Sequence, residues 1–447
     1  MDIKEENIKM QLIIRNNGKE IELDGVIRGI KSKFYVEIRV PDGIKLEPII
    51  SNIKGEYNLK GKVTLINNRN SSVRRSESNP NESIYVYEVG YFVSGYIDEK
   101  DILISYMSVY FKELDSFFVE DEYKIDVGKM ETELTITQKY NSEVLLEDEN
   151  IIIKYNRMAG IDHDLAGHIL FLNPAKLNIS FKSEIHLSQV FEEMSKIEKV
   201  LGFVFNTKMN LIETLLFTNT NEYHELIVQF QKDYNDVKSE DFFIVDLNSK
   251  QLLKDILKRY YSDKRIASSI NMFYEYIYNE LDDIFEFTSL VNTLELIISD
   301  QKYEGEAEQY AIETNEKLKL NNEKMNEILA LLSGEQKGFI KQFYKFNNVE
   351  LRDKLKYIFF KLFKLEKNEN SEKYISAIIN TRNYFVHGGN KKNNLNPVDM
   401  VGTKYLLKMI LYILIVDICT NESNSHIDSY RLSIPTVYNT AVKYFNK

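Results

Sequence analysis

Along the first 248 residues, apolar and polar side chains alternate in short runs broken by turn-forming residues. From residue 249 onward the apolar positions recur every three or four residues instead. Period two gives a strand one apolar face, and a spacing of three to four gives a helix one. Two halves of different class are therefore expected, a β-rich domain over residues 1–248 and an all-helical domain over 249–447, which makes an α+β chain.

In the first half, residues 11–14 and 19–23 flank Asn17-Gly18, a hairpin signal because both central residues of a primed two-residue turn need positive φ. Alternating runs follow at 33–40, 62–66, 83–91, 102–110, 131–138, 151–155 and 176–181. Many short strands between turn residues predict an antiparallel sandwich or barrel. Residues 67–82 are rich in Asn and Ser, carry Arg69, Arg74 and Arg75, and read as a polar loop. Residues 186–201 switch to helical spacing, with Val190, Met194, Ile197 and Val200 or Leu201 on one side, before strands resume at 211–217, 225–230 and 241–245.

The second half reads as a bundle. Leu252, Ile256 and Tyr260, then residues 266–281, give two amphipathic helices. A third helix carries the stripe Phe287, Leu290, Val291, Leu294, Ile297 and Ile298, with Glu295 at its edge. Residues 304–326 are charged and poor in apolar side chains, as an exposed helix or a connector would be. Asn396-Pro397 is a helix start, and residues 404–419 are apolar nearly all round, like a buried bundle helix. Between these lies a helix expected to begin near Ser371. On it Ile375, Ile378, Ile379, Phe385 and Val386 share an apolar face with Arg382 at its centre. Ser376, Asn380, Asn383 and His387 form a polar seam beside that face, and Gly388-Gly389 stops the helix.

Charge changes this picture locally. The 447-residue chain has a net charge of -11, which argues against a surface coated in nucleic acid. Residues 335–367 nevertheless hold nine Lys and Arg against four Asp and Glu. There Lys337, Lys341, Lys345, Lys354 and Lys361 interleave with Phe and Tyr, a pattern that suits an RNA backbone, and Lys391 and Lys392 follow the central helix. A solvated helix face is the simpler account of the same pattern. The first ten residues are polar and charged, unlike a signal peptide. The longest apolar run is far short of the roughly 18 residues that span a bilayer. Cys419, the one cysteine, allows neither an internal disulfide nor a thiolate zinc cage. A cytoplasmic protein without a membrane segment is expected. Neither a P-loop nor a G-x-G-x-x-G occurs, so no cofactor is expected.

The chain's only Arg-x4-His runs from Arg382 to His387. In the last turn of a helix the imidazole meets the negative end of the helix dipole, which favours its protonated form. Asn383 lies one turn away. An Arg, an Asn and a proton-switchable His thus converge on one helix end, a set suited to phosphate chemistry. The same residues also fit a structural role, with Arg382 paired to Glu295 and His387 capping carbonyls. Asp162-His163-Asp164 with His168 offers metal-ligand residue types on no fixed helical face and reads as structural.

Arg382-Asn383-x3-His387 on the penultimate long helix of a C-terminal bundle resembles the Arg-polar-x3-His motif of HEPN domains, found in prokaryotic toxin and defence ribonucleases. Chain length and the β-rich first half look like the ApeA type of anti-phage HEPN protein. The resemblance implies a metal-independent endoribonuclease of abortive infection, with Arg382, Asn383 and His387 at the active site and Glu295 as an acidic partner. It also implies a homodimer through the helical domain, and tRNA as a candidate substrate. Attack by a 2′-OH on phosphorus needs both a base and an acid, and two copies of the helix would supply two His. The β domain would sense a trigger, such as a phage-derived one, or restrain the nuclease. A second reading keeps the dimer without catalysis. It is a binding module whose β domain holds a sugar, peptide or phage component on Tyr87, Tyr91, Tyr96 and Tyr106.

Overall fold

The computed structural model describes residues 8–445 except 17, 31–32, 58–60, 97–102, 115–122, 128–133, 139–141, 158–159, 164–168, 173–174, 210, 219–222, 229–249, 279–281, 344–348, 389–393 and 421–424. It separates into two compact units, Met1–Lys250 and Gln251–Lys447.

In the first unit, β1 (Ile8–Asn16) and β2 (Lys19–Ile30) form the expected hairpin, with Asn16 paired to Lys19 and Gly18 at φ 78°. With β3 (Lys33–Pro41), β4 (Ile49–Tyr57), β5 (Gly61–Arg75) and β6 (Glu82–Val89) they close a ring in the order β1-β2-β3-β6-β5-β4 and back to β1. Of the two expected architectures, the barrel is the one that forms. Closing six strands makes a narrow bore filled by side chains, and Met10, Leu12, Ile14, Ile27, Val36, Ile38, Ile53 and Leu65 fill it. The bore is tight enough to need glycine. A Cβ on Gly25 would stand 2.2 Å from Leu12 Cδ1, and one on Gly55 3.1 Å from Met10 Sδ.

The expected loop at 67–82 is strand for more than half its length. From Arg69 to Arg75, β5 pairs with β6 across an irregularity between Asn70 and Ser72. Its side chains from Ser71 to Arg75 are exposed, so the polar run reflects solvent on the barrel's outside rather than a missing ladder. Asn68, by contrast, is buried. Its Nδ2 donates to the carbonyls of Ile50 at 3.1 Å and Leu65 at 2.9 Å, satisfying backbone acceptors near the point where β5 changes partner.

β5 belongs to a second sheet as well. Val63–Ile66 pair with β7 (Tyr91–Ser94). The next strands in chain order are β8 (Leu103–Phe111), the hairpin β9 (Tyr123–Val127) and β10 (Leu134–Gln138), β11 (Ser142–Glu147), and β12 (Ile151–Arg157). The hairpin β13 (Gly160–His163) and β14 (Ile169–Leu172), then β15 (Ala175–His186), β16 (Leu211–Thr218) and β17 (Tyr223–Val228), complete the set. From β7 outward the sheet runs β17-β16-β8-β15-β12-β11. Helix α1 (Leu187–Phe205) buries the expected Val190, Met194, Ile197 and Leu201 and packs on β15 and β8. β4 escapes an alternation pattern because Ser51-Asn52 and Gly55 interrupt it.

The four tyrosines expected on one exposed face are not there. Tyr87 is sealed in the barrel with its hydroxyl on the Glu47 carbonyl at 2.6 Å. Tyr91 stacks on Phe191, Tyr106 meets Phe217 edge-on, and Tyr96 lies under Lys62. Strand spacing made them neighbours, but each found its own partner. Asp162 and His163 lie on β13, while Asp164 and His168 fall outside the described residues, as does the strand expected at 241–245. Among the described residues no group of three His, Cys, Asp or Glu is placed to hold a metal ion.

The second unit is helical: α2 (Lys250–Ser262), α3 (Lys264–Tyr278), α4 (Asp283–Ile298), α5 (Gln301–Thr314), α6 (Glu316–Ala330) and α7 (Gly334–Phe343). α8 (Leu351–Lys356) runs on into a π-helical turn, Tyr357–Leu362. α9 (Glu369–His387), α10 (Pro397–Cys419) and α11 (Ser425–Phe445) follow. α10 is buried all round from Met409 to Val416, as its unbroken apolar run requires, and α3, α4 and α11 pack on it. α4 is pinned to it by charge. Glu286 meets Lys404 and Lys408 at 2.6 Å each, and Lys404 also reaches Asp283 at 2.5 Å. Burial opposes the Lys404 charge, but hydrogen bonds to Asp283 and Glu286 outweigh it and hold the ammonium above the ordinary lysine range. No described helix is long and apolar enough to cross a membrane.

Candidate active site

α9 begins with a reciprocal cap. Asn368 Oδ1 accepts from the Ser371 amide at 2.9 Å, and Ser371 Oγ accepts from the Asn368 amide at 2.8 Å. The helix therefore starts two residues before Ser371. It ends at Gly388, whose φ is 67° and whose amide donates to the Tyr384 carbonyl.

The buried face of α9 is Tyr374, Ile375, Ala377, Ile378 and Thr381. Arg382 was expected at the centre of an apolar face, but it stands at the margin of the buried one. Phe385 and Val386, expected inside, are 36% and 45% exposed. Helical spacing assigns a face to a residue but not a neighbour to cover it, and among the described residues these two side chains of the last turn stay open. Thr381 fixes the register here. Its buried hydroxyl donates to the Ala377 carbonyl at 2.7 Å and accepts from the Leu395 amide at 2.8 Å, tying the start of α10 to the turn that carries Arg382.

Arg382 is the hub. Its Nε donates to Asn292 Oδ1 on α4 at 3.1 Å, and one terminal nitrogen donates to Asn383 Oδ1 at 3.0 Å. The same nitrogen lies 3.4 Å from His387 Nε2. Because a guanidinium only donates, a hydrogen bond here would use Nε2 as the acceptor. The other terminal nitrogen lies 3.9 Å from Glu295 Oε2. Arg382, Asn383, His387 and Glu295, all named from sequence, are thus brought together at one exposed helix end.

Asn292 is the member that sequence reasoning missed. It shares a seam with Glu295 and the C-cap Ser299, three and seven residues further on, outside the apolar stripe of α4, and the spacing of that helix carries no signal that marks it. The seam continues to Lys354, whose Nζ donates to Ser299 Oγ at 3.0 Å and lies 3.8 Å from Glu295. Lys354, expected on an RNA-facing surface, is instead turned into this network with its side chain 16% exposed. Lys337 is half-buried on α7. Lys341 lies on α7 with its side chain outside the described residues, as are Lys345, Lys391 and Lys392.

Beside Lys354, Asp353 is buried and accepts from Asn315 Nδ2 at 3.4 and 3.3 Å. Burial pushes its carboxyl above the ordinary aspartate range, and the Asn315 bond offsets this only in part. A raised folded pKa favours the protonated form, so its stability contribution is present below the unfolded pKa and lost as pH rises through the folded one. Asp353→Asn is therefore expected to raise Tm at pH 7 and to leave it little changed near pH 3, read from thermal melts at both.

Comparison with known families follows this division. The model described as ApeA N-terminal domain 1 matches residues 2–259, more than half of the chain, and the model described as Apea-like HEPN matches residues 288–422, from α4 through α10. No curated protein and no solved structure matches the chain. The barrel and its sheet fall under the first match, and every residue of the Arg382 cluster under the second. The chain belongs to the ApeA type of HEPN anti-phage defence proteins.

Proposed function

We propose that the helical unit is a metal-independent endoribonuclease in which His387 moves the proton, Arg382 binds the phosphate and Asn383 orients the two. The observation that carries this reading is the Arg382 guanidinium, held between Asn383 and His387 at an exposed helix end. A phosphate oxygen arriving there can replace weak partners such as Glu295 at 3.9 Å with short charged hydrogen bonds.

In this reaction a neutral His387 takes the proton of the RNA 2′-OH, whose oxygen bonds to phosphorus. The 5′-oxygen leaves and takes a proton from a second imidazole, giving a 2′,3′-cyclic phosphate and a free 5′-hydroxyl. Arg382 neutralises the charge gathering on the non-bridging oxygens. The second imidazole belongs to a second copy of the chain. The uncovered Phe285 and Leu296 on α4, with Phe385 and Val386 on α9, are the surface such a copy would cover. Glu295, anchored by Lys354, acts as counter-charge to Arg382. RNA is the substrate because DNA lacks the attacking hydroxyl, and tRNA is the leading candidate through the family likeness. The β unit is the sensor of a phage-derived trigger.

Purified protein is expected to cut RNA in the presence of EDTA and to leave the 2′-deoxy strand of the same sequence intact. The fragments should end in cyclic phosphate. Cleavage abolished by EDTA, or 3′-hydroxyl ends, would overturn the reading.

A further inference from the structure

Resting on that reading, we propose that Asn292 is a positioning residue for Arg382. It lies on α4, ninety residues before the motif, and no part of the motif requires it. Its Oδ1 accepts from Nε, the one guanidinium nitrogen that lies between the side-chain stem and the fork. A bond there fixes the plane of the fork without using either terminal nitrogen, so a phosphate can meet both once it displaces their present partners. Without it the fork is held by the single Asn383 hydrogen bond, with the longer His387 and Glu295 contacts beside it, and can turn about that bond.

The geometry of α4 singles this residue out. Asn292 and Leu296 are exposed one turn apart, while Val291, Thr293 and Leu294 are buried against the bundle. The Asn292 side chain therefore stands on the outer surface of α4, beside the margin of α9 where Arg382 emerges. Glu295 is the other α4 residue that reaches Arg382, but at 3.9 Å, and it shares its carboxylate with Lys354. Charge balance is the task of Glu295, and orientation is the task of Asn292.

The test uses the full chain. In Asn292→Ala, kcat for RNA cleavage should fall by about tenfold or more with KM changed by less than about twofold, the signature of an interaction made stronger in the transition state. Asn292→Asp keeps an acceptor oxygen on a side chain of the same length and should restore much of kcat. Because Asn292 is exposed, both variants should melt with the wild type. The second readout needs no catalysis. Solvent exchange of the Arg382 Nε proton, followed by nitrogen-resolved NMR, should be faster in Asn292→Ala than in wild type.

Unchanged kcat in Asn292→Ala, while His387→Ala is inactive, would overturn the inference and leave the nuclease reading standing. Equal loss in the Ala and Asp variants would also overturn it, since the acceptor would then not be what matters. If the wild type cuts no RNA, the nuclease reading fails, and the exchange rate alone decides whether Asn292 holds Arg382.

Discussion

His387→Ala is expected to lower the rate of RNA cleavage by about 10²–10⁴-fold, the range that a positioned acid or base contributes. The fold should not change with it. His387 is exposed at the end of α9, and the helix stop is made by the Gly388 amide on the Tyr384 carbonyl, not by the imidazole. Tm is therefore expected within about half a kcal/mol of wild type when expressed as stability, as for surface substitutions in general. Arg382 also loses one acceptor in this variant but keeps Asn292 and Asn383. Substrate binding should consequently survive better than turnover, so gel-shift affinity and cleavage rate should separate. Wild-type cleavage by His387→Ala would remove the proton-transfer role assigned to it.

Glu286→Ala is expected to cost about 3–5 kcal/mol of stability, as breaking a buried ion pair does. Glu286 is 8% exposed and its carboxylate faces two ammonium groups, Lys404 and Lys408. Removing it leaves Lys404 with the exposed Asp283 and strips the α4–α10 seam of its central charge. Urea unfolding should report the loss as a lower midpoint at unchanged slope. The double variant Glu286→Leu with Lys404→Met should recover most of it, because an apolar pair of similar volume avoids desolvation altogether. Lys404 also sets a pH limit. Its folded pKa lies above its ordinary 10.5, so its contribution is complete below that value and is lost as pH climbs past it. A midpoint for Glu286→Ala equal to wild type would refute the electrostatic pinning of α4.

How much of this was legible beforehand depended on whether a residue's role is local. The β1–β2 hairpin, the stop at Gly388 and the buried α10 were readable because each is decided by spacing within a few residues. The convergence of Arg382, Asn383 and His387 was readable for the same reason, as one turn of one helix. Asn292 and Lys354 were not, because their roles exist only across helix pairs. Composition misled at Ser71 to Arg75, where polar residues meant solvent outside a barrel rather than a loop. Periodicity misled at Phe385 and Val386, whose apolar character outlasts the bundle that would cover them.

β5 has a mechanical consequence. All of β5 is a stave of the barrel, paired with β4 over 61–69 and with β6 over 69–75, and its first half also joins the long sheet through β7, so any load along the strand reaches both. Pulling the barrel open at the β5–β6 seam would slide Val63–Ile66 against β7, and prying β7 away would slacken the ring. The barrel is thus no detachable bead on a string. It is keyed into the sheet by a shared beam, and a change felt at one end of the unit has a stiff path to the other.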